Sequence, residues 1–245
     1  MRLALFHRMT TRIILSIALT LSTRLMSGTP LIISDVVTGT ASHVRIRNTT
    51  HQPVTAWSLA AVTEPVEGRV HREIYTTDGY LSELTHGLPR AAERLERLMP
   101  GESRELPLDP LPEGGTVEVI AAVLDDGTAF GEEAAVASIF KTRVKERDAL
   151  KTVVDAFNAV LPQKRGADAL SALKDRLTAL VERDDNLPCH AALDSVQAYE
   201  KTASTDRIDA SLRTYAAFVT REYELAVKHA ERRGHASTTS VGDGL

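Results

Sequence analysis

At Gly131 the chain changes hydrophobic period. Before that glycine, short apolar runs rich in Val and Ile are separated by turn residues; after it, apolar positions recur every three or four residues almost to the C terminus. Strands build a core by pairing into sheets and helices by facing one another. A chain of 245 residues that carries both periods in succession is therefore confined to a mixed architecture, strands first and helices second. Aromatic residues make up only 4%, so the core must come from Val, Leu, Ile and Ala, with Trp57 as the one tryptophan.

Leu31 to Val37 is an apolar, β-branched run broken by Gly39, and His43-Val44-Arg45-Ile46-Arg47 alternates as a strand with one wet face does. Asn48 to Pro53 is turn chemistry, after which Val54 to Val62 resumes as a strand. A period of two puts Thr55, Trp57, Leu59 and Ala61 on one face, with Trp57 as a core anchor between two sheets. Met99-Pro100-Gly101-Glu102 is a turn before the strand Ser103 to Leu108. Val117 to Leu124 is a buried strand, and Asp125-Asp126-Gly127-Thr128 is a tight hairpin leading into Ala129-Phe130-Gly131. Short strands separated by turn signals predict an antiparallel immunoglobulin-like β-sandwich over 29–131. Within it, 64–99 is an excursion too long for a plain loop. There Val70 to Tyr75 reads as a strand, Asp78-Gly79 as a turn, and Ala91 to Leu98 as a short helix that buries Leu95 and Leu98.

The turn Asn48-Thr49-Thr50, the segment Pro53-Val54-Thr55-Ala56-Trp57, Pro100-Gly101-Glu102, and the hairpin Val123 to Thr128 with Gly131 carry a resemblance. Over residues 31–140 the chain resembles uncharacterised exported bacterial immunoglobulin-like β-sandwich proteins. The shared motifs are structural, so the resemblance implies a sandwich outside the cytoplasm and brings no active site with it.

Beyond Gly131, Val136, Ile139, Phe140, Val144, Leu150, Val154, Phe157 and Leu161 mark one long helix, ended by Pro162 and Gly166. Leu170, Leu173, Leu177 and Leu180 stripe a second. Pro188 sits in the first turn of a third, with Leu193, Val196 and Tyr199. Ile208, Leu212, Tyr215, Val219, Tyr223 and Ala226 run along a fourth towards Gly234. This predicts an α+β protein whose helical region, 132–234, is a three- or four-helix bundle, followed by a disordered tail over 235–245.

Arg2, Arg8 and Arg12 precede the apolar run Ile13 to Leu21, and the small residues Ser22, Ser27 and Gly28 follow it. That is the layout of a signal peptide, assigned to 1–28, with an apolar run too short to span a bilayer. The expectation is an exported protein, periplasmic or extracellular, with no stable membrane span once the leader is removed. Residues 1–30 carry four Arg and no acid, so without them the formal charge of −4 becomes −8. A net-acidic protein is a poor partner for nucleic acid or anionic lipid, both of which demand basic patches. The lone Cys189 excludes an internal disulfide and reads as a buried small apolar residue.

Nothing in the sequence assigns a reaction. His71, Glu73, Asp78, Glu83 and His86 lie close together in the excursion but lack a recognised ligand spacing. His190 and Asp194 share a helix face at i, i+4, as a surface ion pair does. Cys189 and His190 are adjacent, and neighbours on a helix diverge. No G-x-S-x-G elbow, Walker loop or dinucleotide fingerprint occurs. Asn48-Thr49-Thr50 matches a glycosylation sequon, but turn chemistry accounts for it, and Lys141 to Lys151 reads as a solvated helix face. No catalytic, cofactor-binding or metal-binding residue is assigned, and no cofactor is expected. The expectation is a non-enzymatic binding or scaffolding protein whose partner is a protein or envelope component, met by the sandwich ends and the 64–99 excursion. A hydrolase or metal-dependent enzyme with its site at the sandwich-bundle junction, and a structural homo-oligomer, are the other two classes.

Overall fold

The computed structural model describes residues 30–66, 69–86, 96–184, 186–202 and 207–236, which form two β-sheets and five helices. Strands β1 (Leu31–Val37), β2 (His43–Asn48) and β5 (Ser103–Pro107) make an antiparallel sheet in the order β1-β2-β5. Strands β3 (Val54–Val66), β4 (Arg69–Asp78), β6 (Thr116–Leu124), β7 (Thr128–Gly131) and β8 (Gly234–Ala236) make the second, in the order β4-β3-β6-β7-β8. It is antiparallel throughout except where β8 joins β7 in parallel.

The burial pattern of each strand follows from what covers it. β2 alternates, with Val44, Ile46 and Asn48 buried and Arg45 and Arg47 exposed, because only one of its faces meets protein. Leu31, Val44 and Ile46 of the first sheet pack against Trp57, Leu59, Ala122 and Leu124 of the second. β3 instead is buried at every position from Val54 to Ala61, since its sheet is covered on both sides. The second cover is a helix: Ala56, Ala121, Val123 and Ala129 lie against Val136, Ile139 and Phe140. Small side chains on the sheet and large ones on the helix interdigitate there.

The helices are α1 (Gly79–His86), α2 (Glu133–Val160), α3 (Gly166–Arg183), α4 (Leu187–Thr202) and α5 (Ile208–Ala230). With 28 residues, α2 is about 42 Å long and serves two cores. Its first half rests on the sheet. Its second half, with Leu150, Val153 and Phe157, joins Leu173, Leu177, Cys189, Val196, Leu212 and Val219 from the other three long helices. Gly131 makes the passage from β7 into α2 possible. Its φ is +112°, and a Cβ at this position would strike the carbonyl of Ile120. Directly after it the Glu132 N–H donates to that same carbonyl at 2.7 Å, which keeps the turn pinned to β6.

The excursion takes a different form from the expected one. β3 and β4 continue as a long hairpin, so Val70 to Tyr75 is the middle of a longer strand. Asp78-Gly79 is not a turn but a strand-to-helix junction. The Asp78 carboxylate accepts the Leu81 N–H at 3.2 Å and so caps α1. Gly79 packs so tightly on the next segment that a Cβ would lie 2.6 Å from the Glu96 carbonyl carbon. Of the helix expected over 91–98, residues 91–95 with Leu95 lie outside the described residues, and 96–98 are not helical. Leu98 is buried, in a backbone bridge with Val54. The leader, 1–28, is likewise outside, and so is the expected tail except its first two positions, which belong to β8.

Thr55 also departs from its expected place. The β3–β6 register shifts between Val54 and Ala56, a bulge that turns Thr55 away from the Trp57 side towards α2. There it meets an arginine.

Candidate functional site

That arginine is Arg143, on the sheet-facing side of α2 and only 1% exposed. It lies in the stretch Lys141 to Lys151, expected to be a solvated face, and is the exception to it. Its guanidinium makes a two-pronged contact with Asp78 at the end of β4, Nε to Oδ2 at 2.7 Å and Nη2 to Oδ1 at 3.1 Å. Nη2 also donates to the Thr55 hydroxyl at 2.9 Å, and Nη1 to the His229 carbonyl near the end of α5 at 3.3 Å. The Thr55 hydroxyl passes its own proton on to the Val123 carbonyl at 3.1 Å. One side chain thus ties β3, β4, α2 and α5 together.

Aromatic and acidic groups close around the fork. The Tyr80 and His229 rings stack with centroids 4.0 Å apart, and the Arg143 guanidinium carbon lies 5.7 Å from the centroids of Tyr80 and of Phe140. Burial, reinforced by the Arg143 charge, pulls the His229 imidazole down to about 4, so it is neutral at pH 7. Burial also raises the Tyr80 phenol far above its ordinary range, with the nearby Glu222 carboxylate adding to the effect. The Tyr80 hydroxyl is buried with no hydrogen-bond partner among the described residues. Glu146 and Glu222 are each raised by burial. At the edge of the cluster, Arg97 bridges Glu83 at 3.0 Å and Asp125 at 3.4 Å, and Lys228 approaches Asp125 at 3.7 Å.

Of the residues singled out in the sequence, Asp78 enters this cluster as the partner of Arg143, and Glu83 through Arg97. The other residues of that group stay out of it. His71 is exposed on β4, Glu73 is half-buried on the same strand, and the His86 side chain lies outside the described residues. Among the described residues no three His, Cys, Asp or Glu side chains are placed to hold a metal. Cys189 is fully buried in the helical core and its thiol is raised by that burial. Its backbone N–H instead takes the Asn186 side chain as the cap of α4, at 3.0 Å. Asn48 of the sequon is 0% exposed. Its amide donates to the Gln52 and Leu98 carbonyls at 2.8 and 2.9 Å while its oxygen accepts from Thr50, which is the turn reading realised.

Sequence reasoning missed Arg143, Tyr80 and His229. The signal for Arg143 was present: it lies three residues after Phe140 and four after Ile139, in line with the apolar stripe rather than across from it. Two hollows lie away from the cluster. One, of about 660 Å³, runs along the outer side of α2 past Lys141, Lys145, Asp148 and Asp184. The other, of about 270 Å³, opens between β4 and β5 and reaches Trp57.

Comparison of the chain with protein-family models, with curated proteins and with solved structures finds no match. The geometry alone carries the functional reading.

Proposed function

We propose that the chain is an exported, non-enzymatic binding or scaffolding protein, in which an immunoglobulin-like β-sandwich engages a protein or envelope component and a four-helix bundle holds it in place. The observation that carries this reading is the Arg143 fork. Where the sheets and helices meet, the convergent polar groups Asp78, Thr55 and the His229 carbonyl are bonded to one another through Arg143. A reaction centre keeps polar groups turned towards an open volume, whereas a joint bonds them across elements. The two facing sheets and the common core of α2, α3, α4 and α5 support the finer architecture. Among the described residues no helix is long and apolar enough to cross a membrane.

The test is affinity capture from the native envelope with residues 29–245 as bait, beside turnover assays on ester, phosphoester and peptide substrates. One partner retained at fixed stoichiometry, with no turnover, is the expected result. Turnover that disappears in Tyr80→Phe or Glu222→Gln would overturn the reading in favour of an enzyme at the joint. A mass that rises with concentration in light scattering, with no partner captured, would replace it with a structural homo-oligomer.

A further inference from the structure

His229 stands in the last turn of α5, where the chain is about to leave the helix for β8, and it is only 5% exposed. Its ring stacks on Tyr80 of α1, and the Arg143 guanidinium of α2 lies against the same phenol ring. A proton on this imidazole is therefore a second buried cation in the cluster that already holds Arg143. The surrounding charges give it little help. Asp125, in the hairpin between β6 and β7, favours the proton, while Lys228 on α5 and Arg97 ahead of β5 oppose it together with Arg143. Asp78 of β4 is already paired with Arg143, and Glu83 of α1 with Arg97. Glu146 and Glu222, which act on Tyr80, are raised by burial and so lose their charge early as the pH falls.

The fastenings around His229 differ in strength. Arg143 grips Asp78 with two charge-assisted bonds at 2.7 and 3.1 Å, but it holds the His229 carbonyl, a neutral acceptor, through one bond at 3.3 Å. When the two cations repel, Arg143 stays with the sheet and the end of α5 yields. Beyond His229 the return is fastened mainly from outside. Surface ion pairs join Lys228 to Asp125 at 3.7 Å and Arg232 to Glu133 at 2.6 Å, the Arg233 N–H meets the Gly127 carbonyl, and β8 contributes three residue pairs with β7. Surface ion pairs contribute little, and a segment with few buried contacts opens on its own.

We propose that His229 is an acid-sensitive latch on the C-terminal return: its protonation releases the last turn of α5 and residues 231–236 while both cores stay folded, uncovering the edge of β7. A released imidazole takes up its proton near 6.5 and the seated one near 4, so release gains as the pH falls below 6.5 and gains nothing further below 4. The latch goes beyond the scaffolding reading and does not depend on it.

Amide hydrogen exchange of the full chain, expressed as protection factors at pH 7 and 4.5, tests this, with the Arg233 amide as reporter. Its protection should fall roughly thirty- to a hundredfold between the two pH values. At pH 4.5 it should lie at least tenfold below that of Leu173 and Leu177 in the helical core, and low urea should leave it unchanged while lowering theirs. Trp57 emission, recorded on the same samples, should not move. In His229→Phe, which keeps a ring on Tyr80 and cannot take a proton, the fall at Arg233 should shrink to less than threefold. Protection at Arg233 that is the same at both pH values in the wild type would overturn the proposal. So would an equal, urea-dependent loss at Arg233 and Leu173, which would mean that the return opens only with the cores, and so would a full-sized fall in His229→Phe.

Discussion

Arg143 has four hydrogen bonds to three other elements and almost no contact with solvent, so its removal strands more than it deletes. Arg143→Met leaves the Asp78 carboxylate, 10% exposed, without its counter-charge, and a broken buried pair costs about 3–5 kcal/mol. Urea unfolding should show that loss. Adding Asp78→Asn should return about 1–2 kcal/mol, because asparagine still caps α1 and no longer strands a charge. His229 makes a second prediction. Its folded value of about 4 lies below the 6.5 of an unperturbed imidazole, so the unfolded chain binds the proton more readily. The stability this neutral ring supports is fully present above pH 6.5 and is lost as the pH falls towards 4. Glu146 and Glu222 run the other way: raised by burial, they contribute stability that is present below 4.5 and lost as the pH rises. Comparing wild type with His229→Phe isolates the imidazole, since the acids are common to both. Between pH 7 and 4.5 the wild type should lose about 2–3 kcal/mol more than the variant in urea unfolding. The partners of Arg143 and the burial of His229 could not be read from the sequence. An arginine among charged neighbours looks solvated, and only its register with Ile139 and Phe140 hints otherwise.

Among the elements, the sharpest constraint is the turn from β7 into α2. Gly131→Ala meets both a positive φ and the Ile120 carbonyl, whereas Gly39→Ala meets the same kind of φ, +121°, with nothing within 4 Å. Conformation alone costs about 1–3 kcal/mol at either site. Gly131→Ala should exceed Gly39→Ala, and thermal unfolding of the two single variants measures the gap, which is the price of the collision. The strands and long helices were legible because periods of two and of three to four persist over many residues. Val136, Ile139 and Phe140 announced α2, and Val44 with Ile46 announced β2. What escaped was set by tertiary context. The bulge at Thr55 depends on β6 beside it. β8 is Gly-His-Ala, with no strand propensity of its own, and pairs because α5 delivers it to the free edge of β7. Asp78-Gly79 has the composition of a turn but caps a helix, a distinction made by the backbone of Glu96 and Arg97 packed against the glycine.

At the scale of the whole molecule, α2 is shared between two cores and Arg143 fastens it to the sheet side, so the strand-rich and helical parts should unfold together. Trp57 emission reports the sheets and far-ultraviolet dichroism the helices. Their urea midpoints should coincide in the wild type, and separate in Arg143→Met if the fork is what couples them. The change of period at Gly131 foretold two parts in direct succession without a linker, and the sheet-to-helix passage is as abrupt as that. It gave no sign of the return. After α5 the chain comes back, the Arg233 N–H donating to the Gly127 carbonyl at 3.2 Å before β8 lies down on β7. The helical region is therefore a crossover between two parallel neighbours, entering and leaving at the same strand. For anyone attaching a reporter, that decides the geometry of display. Cargo fused behind Ala236, which pairs with Phe130, would emerge next to the Gly131 turn at the start of α2, leaving the Leu161–Arg165 turn at the opposite end of α2 unobstructed.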